Sequence, residues 1–258
     1  MRGLALILCA ATLVTGTNAS GQADTPASAP TLTSEAVNPE AVAALKRMSD
    51  YLKTLKSFQL TANSTRDLVT VDNQRLQTDA VVQYKVMRPG IWVHFDSDLK
   101  DREFYFNGKN FTIYAPKLNF YATAPAPATN AEFIKAIYDK FGISLPLEDL
   151  FRWNDGDDSD LQALTSGFSV GTARIDGVRT DHWAFRQGDY DWEVWIEQGD
   201  RPLPRKLVIV DRTDPALPAY SARLNWVLNP PLSVSDFTFV PGKDAKQIQL
   251  ATLVEDKK

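Results

Sequence analysis

The chain has 258 residues, 44% of them hydrophobic and 23% charged, with a formal net charge of −4 and a pI near 5.3. These values indicate an ordinary globular protein with enough length for one large domain. No run of Lys or Arg forms a basic stripe, which argues against nucleic acid as a partner.

The first residues have the pattern of an export signal. Met1-Arg2 gives a short positive start, Leu4 to Val14 is apolar, and Thr17-Asn18-Ala19 or Gly21-Gln22-Ala23 forms a cleavage site of small residues. Such a segment is too short to span a bilayer permanently. We therefore expect a signal peptide over residues 1–23 and a mature protein in the periplasm. Cys9 lies inside the apolar segment, which favours a cleaved signal over a lipid anchor and leaves the mature chain without disulfides.

The N-terminal part of the mature chain predicts a spacer and then a helix. Residues 24–37 are rich in Ala, Pro, Ser and Thr, typical of a flexible spacer. Asn38-Pro39 supplies an N-cap and a first helical position. Apolar residues then recur every three or four positions from Val42 to Leu55, so this helix is expected to cover one face of a sheet.

The next segments predict an antiparallel meander. Phe58 to Val71 and Leu76 to Met87 are strand-like, and Asn107-Gly108 is a strong hairpin signal because the central positions of a type I′ turn need positive φ. From Tyr84 to Thr123 the apolar side chains occupy both faces of the predicted strands. Such a sheet needs a cover on each side, and the second cover could be a helix or a ligand.

A second helix is predicted after the proline-containing segment Ala122 to Ala128, which has the composition of a hinge. Thr129 with Glu132 fits a capping box, and Gly142 ends the pattern as a C′ residue. Another short helix is expected from Pro146 to Phe151. Together these elements predict a helical cover near residues 129–151.

The rest of the chain returns to strands at a spacing of roughly ten residues. The expected strands are Ser166 to Ile175, Arg179 to Gln187, Asp191 to Glu197, Arg205 to Asp211, Ala219 to Leu228 and Phe237 to Phe239. The chain is thus expected to form one mainly β (α+β) domain over residues 38–250, followed by a solvated tail at residues 251–258.

Catalytic and metal-binding patterns are scarce. The two histidines, His94 and His182, lie far apart in strand-like surroundings, which favours strand residues over metal ligands. The acidic run from Asn154 to Asp160 lacks the spacing of a calcium loop and is better explained as a solvated loop. No nucleophile elbow, P-loop or dinucleotide fingerprint is found. We expect no metal, no cofactor and no enzymatic activity; a hydrolase without a motif is the third hypothesis.

Short motifs resemble the LolA-type outer-membrane lipoprotein carriers. Arg88-Pro89 followed by Trp92, then Asn107-Gly108-Lys109 and Tyr114-Ala115-Pro116, is similar to a motif of those carriers, and residues 237–242 (Phe-Thr-Phe-Val-Pro-Gly) are similar to their closing strand. The superfamily includes LolB-type acceptors and mycobacterial lipid-carrying lipoproteins. The chain also resembles an uncharacterised family of predicted periplasmic proteins within it.

The resemblance implies an unclosed antiparallel β-barrel of about eleven strands, with an N-terminal helix, a helical lid and an apolar cavity for acyl chains. Arg88 matches an arginine that holds the lid shut in the carriers; the alternative is a surface arginine at a strand end. Trp92 matches an aromatic residue of the cavity mouth. The predicted cavity residues are aromatic or aliphatic side chains of the sheet and the lid: Trp92, Phe104, Phe106, Phe111, Ile113, Phe133, Ile137, Tyr138 and Phe141.

The first functional hypothesis is a periplasmic carrier for a lipidated or hydrophobic ligand. Each large apolar side chain buried under the lid contributes roughly 1.5–3 kcal/mol, so lid closure and ligand binding would compete. Envelope transport proteins are expected partners, peripheral contact with a membrane is compatible with this hypothesis, and no oligomeric state is assigned. The alternative is a non-catalytic module of the cell envelope that holds a protein partner.

Overall fold

The computed structural model describes residues 36–147 and 159–252. The predicted signal peptide, nearly all of the predicted spacer, residues 148–151 of the predicted second lid helix and the end of the predicted tail lie outside these ranges. Among the described residues, no helix is long and apolar enough to cross a membrane.

The described residues form a single twelve-stranded sheet with two free edges. The order across the sheet is β12-β6-β5-β4-β3-β2-β1-β11-β10-β9-β8-β7, and every pair is antiparallel except β12 with β6. The strands are β1 Ser57–Val69, β2 Arg75–Met87, β3 Ile91–Ser97, β4 Asp101–Phe106, β5 Asn110–Ala115, β6 Phe120–Pro125, β7 Leu164–Ile175, β8 Val178–Gln187, β9 Tyr190–Glu197, β10 Pro204–Asp211, β11 Ala219–Leu228 and β12 Lys246–Gln247. The predicted mainly β, unclosed architecture is confirmed.

The register places one continuous apolar surface on one side of the sheet. Phe58 of β1 lies opposite Val86 of β2 and Leu228 of β11, and Leu60 lies opposite Tyr84. Residues directly opposite one another share a face, so this alternation continues from strand to strand. We call the face that carries Leu60 the inner face and the other the outer face.

Two helices cover the inner face. Helix α1 spans Pro39–Thr54, and the side chain of Asn38 caps it by accepting a hydrogen bond from the backbone N–H of Glu40 at 2.8 Å. Helix α2 spans Asn130–Phe141, begins at the N-cap Thr129 and ends at Gly142, whose φ of 63° is the left-handed conformation that glycine adopts readily. Both predicted helices are confirmed. The remaining helical segments are α3 Ser159–Gln162 and a 3₁₀ helix at Val234–Phe237.

Helix α2 is held by aromatic stacking on the sheet. The ring of Phe133 lies parallel to that of Phe106, with centroids 4.0 Å apart, and meets Phe111 at 5.2 Å. Ile134 and Ile137 are buried beside it. Since Leu45 and Met48 of α1 belong to the same buried cluster, both helices pack on the inner face rather than one on each side.

The outer face is covered by the C-terminal segment. Phe239 packs among Tyr105, Tyr114 and Tyr121, with ring centroids 5.0–5.3 Å apart. The backbone then pairs with β6 through β12. Because the sheet is apolar on both faces, it requires a second cover. This cover is the segment of the chain that follows β11.

Three local expectations need correction. The hairpin between β4 and β5 has Gly108 and Lys109, not Asn107 and Gly108, at the two central positions of its turn, because the N–H of Asn107 already donates to the carbonyl of Asn110. Of these two central residues only Gly108 has positive φ (81°), as in a type II′ turn. The segment read as a hinge from Ala122 is strand as far as Pro125. The expected strand at Phe237 to Phe239 is replaced at its start by the 3₁₀ helix, because Ser233 and Asp236 form a capping box.

Replacement of Phe133 by Ala should destabilise the protein strongly. The ring is 1% exposed, and removing a buried Phe typically costs about 3–5 kcal/mol. The matched control is Tyr138→Ala on the same helix, where the side chain is 57% exposed and a cost within about 0.5 kcal/mol is expected. Urea unfolding followed by circular dichroism measures both. Equal costs for the two variants would show that α2 is not held by the Phe106 stack.

Replacement of Asp236 by Asn should weaken the C-terminal segment in a pH-dependent way. The ammonium group of Lys85 bonds the Asp236 carboxylate at 2.9 Å, and this contact, helped by the backbone N–H of Ser233, lowers the pKa of Asp236 from 3.8 to about 2. A lowered folded-state pKa stabilises the protein above the unfolded-state pKa, and that contribution is lost as the pH falls toward the folded value.

The difference in unfolding free energy between the parent protein and Asp236→Asn should thus be constant above about pH 5 and vanish near pH 2. The control is Asp244→Asn, since Asp244 is exposed in the same segment. An Asp236→Asn difference that persists at pH 2 would contradict the role of the charge.

Candidate functional site

A cavity of about 790 Å³ opens on the inner face, beside the end of α2. Its volume lies within the range of roughly 300–1,000 Å³ that is common for small-molecule sites. Three groups of apolar side chains form its walls, and they come from the sheet half β3–β5, from the sheet half β10–β11 and from the chain that follows α2. These side chains are Phe95, Phe104, Ile113, Ile143, Leu145, Leu147, Ile209 and Tyr220.

The sheet positions the floor of the cavity through its register. Phe104 of β4 lies opposite Ile113 of β5, and Phe95 of β3 is on the same face. On the other half, Ile209 of β10 lies opposite Tyr220 of β11. The floor is therefore built from strands that are distant in the sequence.

The third wall is the segment from Gly142 to Leu147, which we call the α2 extension. Gly142 reverses the chain at the end of α2, and its N–H donates to the carbonyl of Tyr138 at 2.8 Å. Leu145 is buried, and the buried hydroxyl of Tyr84 donates to the carbonyl of Pro146. Since a buried polar atom without a partner is costly, this bond fixes the α2 extension against the sheet.

Charged groups surround the mouth of the cavity. Arg66, Lys100 and Arg102 contribute cations, and Asp67 and Asp211 contribute carboxylates. The buried Asp67 accepts hydrogen bonds from the guanidinium of Arg75, from Gln77 and from the N–H of Ala219. The bond from Arg75 is the main cause that lowers the pKa of Asp67 to about 2, against an opposing effect of burial. Asp67 is therefore an ionised structural group.

A second groove, of about 750 Å³, lies across the outer face. Two of its charged groups form ion pairs, Asp96 with Lys117 and Arg223 with Asp176, and Asp79 accepts from Thr65. We take the inner cavity as the candidate site because its floor is apolar, whereas this groove is lined mainly by polar side chains.

The structure divides the predicted cavity residues into separate environments. Phe104 and Ile113 line the cavity. Phe106, Phe111, Phe133 and Ile137 lie in the core beneath α2, and Phe141 is partly buried against that core. Tyr138 is exposed. Trp92 lies opposite Tyr105, on the outer face, with the ammonium of Lys85 over its ring at 5.0 Å.

Arg88 lies two residues before Gly90, and the connection to the start of α2 is made by Gly90. The Arg88 side chain is exposed, and its backbone N–H donates to the carbonyl of Lys56. The N–H of Gly90 donates to the side-chain oxygen of Asn130 at 3.2 Å. A side chain at Gly90 would meet the ring of Phe237 at 2.9 Å, so glycine is needed for this close approach.

Sequence reasoning missed Phe95, Ile209 and Tyr220 as site elements, whereas the α2 extension lies within the cover predicted near residues 129–151. Phe95 has the same alternation as its neighbours and could have been found from it. Ile209 and Tyr220 could not, because alternation within a strand does not show which distant strand completes the same surface.

Both histidines are paired with carboxylates on strands. Nε2 of His94 lies 3.1 Å from Asp101, and Nε2 of His182 lies 2.7 Å from Glu193, while the His182 ring stacks on Trp195. Within residues 36–147 and 159–252, no group of three or more His, Cys, Asp or Glu side chains could hold a metal ion. The acidic run from Asn154 to Asp160 falls outside these ranges except for its last two positions.

Solved structures with a related shape come from several bacteria. An uncharacterised conserved protein from Thermus thermophilus is 12% identical, with 81% of this chain and 99% of that chain covered and a TM-score of 0.48. Lipoprotein LppX from Mycobacterium tuberculosis is 15% identical, with 76% and 99% covered and a TM-score of 0.48. A chain of the MucA/MucB complex from Pseudomonas aeruginosa is 17% identical, with 78% and 63% covered and a TM-score of 0.43.

No curated protein sequence matches this chain. The resemblance to an uncharacterised periplasmic family is confirmed by a family model that matches residues 41–251. That range includes nearly all of α1, the whole of α2 and all twelve strands. The chain therefore belongs to the DUF2092 family of predicted periplasmic proteins.

Proposed function

We propose that this protein binds or carries a lipidated or otherwise hydrophobic ligand in the periplasm, after removal of residues 1–23. The observation that carries the proposal is the open inner cavity with its apolar floor. Exposed apolar surface of this kind is unfavourable in water, and its burial by a ligand contributes about 0.8 kcal/mol for each methylene group. The proposal assigns no catalytic step to the protein.

The ligand is proposed to enter beside α2 rather than beneath it. The space under α2 is filled by the stacked rings of Phe106 and Phe133. A ligand there would first have to displace a close-packed core, whereas the cavity beside the α2 extension is already open. Binding therefore does not require α2 to leave the sheet.

Chain length should control affinity. Two further buried methylene groups contribute about 1.6 kcal/mol, which is more than a tenfold change in Kd. Affinity for a series of fluorescent fatty acids should rise with length until the cavity is filled and then remain constant. Native mass spectrometry of protein purified from the periplasm should detect bound amphiphile; a co-purifying protein in its place would favour the envelope-module alternative.

The variant Ala80→Phe should block uptake by filling the cavity. Ala80 lies on the inner face beside the floor, so a phenyl ring should lower the affinity for a fluorescent fatty acid by at least about tenfold. The control is Val81→Phe, at the next residue of β2 on the outer face, where a change within about twofold is expected. Equal effects of the two variants would place the binding site elsewhere.

The variant Tyr84→Phe should loosen the cavity wall while it keeps the ring in the core. Loss of the hydroxyl leaves the Pro146 carbonyl without this donor, at a cost of about 1–3 kcal/mol. Fatty-acid affinity should fall and hydrogen exchange of residues 143–147 should rise. Unchanged exchange there would mean that the bond does not hold the α2 extension.

A further inference from the structure

The mouth of the cavity has an excess of positive charge in a chain whose net charge is −4. Arg66 of β1 lies opposite Thr78 and Tyr220, whose side chains also line the cavity. Arg102 of β4 lies opposite Phe95 of the floor, and Lys100 is in the turn that precedes β4. The sheet thus directs three cations toward one opening.

These cations differ in their partners from the arginines that bond carboxylates of the sheet. Arg75, Arg186 and Arg205 each bond a carboxylate of the sheet. Within the described part of the chain, Arg66, Lys100 and Arg102 form no ion pair, and the only side-chain hydrogen bond among them joins Arg102 to the carbonyl of Asp101 at 2.6 Å. Among the residues that the structure describes, the three cations therefore have no carboxylate partner.

The two acids of the mouth do not neutralise this group. Asp67 is held by Arg75, Gln77 and Ala219. Asp211, on the β10 side, accepts from both the N–H and the hydroxyl of Thr213. Both carboxylates therefore accept hydrogen bonds from groups near the ends of strands, and neither lies within ion-pair distance of the three cations.

The spacing between charge and floor matches an amphiphile. Arg102 and Phe104 are two positions apart on β4 and point to the same face, which separates them by about 7 Å along the strand. Arg102 lies opposite the floor residue Phe95, and Arg66 lies opposite the floor residue Tyr220, so both cations are next to the apolar floor. A molecule with an apolar chain and a charged end could contact the floor and these cations together.

We infer that the cavity takes an anionic amphiphile, with its acyl chain on the floor at Phe95, Phe104 and Ile113 and its oxyanion head group at Arg66, Lys100 and Arg102. This inference rests on the proposed function and adds the chemistry of the head group. Carboxylate and phosphate head groups share the recognised feature, which is a negatively charged oxygen that accepts charge-assisted hydrogen bonds.

The test compares two fluorescent probes, dansyl-undecanoic acid and its methyl ester, which have the same chain and differ in head-group charge. The variant Arg66→Gln/Lys100→Gln/Arg102→Gln should bind the acid at least about tenfold more weakly, equivalent to about 1.4 kcal/mol, and bind the ester within about twofold of the parent protein. The control Lys46→Gln/Lys56→Gln/Lys243→Gln makes the same change in net charge at exposed positions outside the cavity and should alter neither affinity. Added salt should weaken binding of the acid and leave that of the ester unchanged.

Competition separates the sources of the oxyanion. Lysophosphatidic acid should displace the bound acid, and inorganic phosphate at the same concentration should not. If inorganic phosphate displaced the bound acid as effectively as lysophosphatidic acid does, the inference that the ligand is an amphiphile would be overturned. Equal binding of acid and ester in every variant would overturn the head-group assignment and leave the proposed function standing, whereas failure of the parent protein to bind either probe would overturn both.

Discussion

A sheet that is apolar on both faces must be shielded from water on both, and this requirement governs the rest of the structure. Aromatic rings are directed to the inner face at Phe104 and Phe106 and to the outer face at Tyr105. Helices α1 and α2 shield the inner face, and Phe239 with the segment around it shields the outer face. The chain itself therefore supplies a cover for each face.

Within the described residues, the inner cover leaves a gap that has a defined chemistry. Stacked rings fill the space beneath α2, but the helix ends at Gly142, and the cavity lies between the α2 extension and the sheet half β10–β11. The remaining apolar floor is bordered by three cations that have no acidic partner among the described residues. Within the described residues, the gap therefore combines an apolar floor with positive charge at its edge.

Signals that act within a few residues were sufficient to predict the local structure. The start of α1 at Asn38, the start of α2 at Thr129 and its end at Gly142 all depend on caps next to the helix. The Phe237 to Phe239 pattern was misread as a strand although Ser233 and Asp236, just before it, carry the capping signal that forms the 3₁₀ helix.

Local signals could not show which residues share a face or a cavity, because this depends on how the strands pair. Trp92 and Phe104 both have even residue numbers, yet they lie on opposite faces of the sheet. The reason is the register of β3 with β4, which pairs odd-numbered residues with even-numbered ones, such as Ile91 with Phe106. The sequence pattern could therefore place aromatic residues in the sheet without showing which of them share a cavity. The same limit hid Ile209, whose strand meets the floor only through the pairing of β1 with β11.

That pairing has a consequence for how the molecule is made. Phe58 and Leu228 are neighbours in the sheet but are about 170 residues apart in the chain. Contacts of such long range close large loops and slow folding. The two halves of the sheet can therefore join only after almost the entire polypeptide has been made. Strand β1 is made first but can pair with β11 only after that last long strand has been made. Strand β12 follows β11 in the chain, so it can pair with the edge strand β6 only later still.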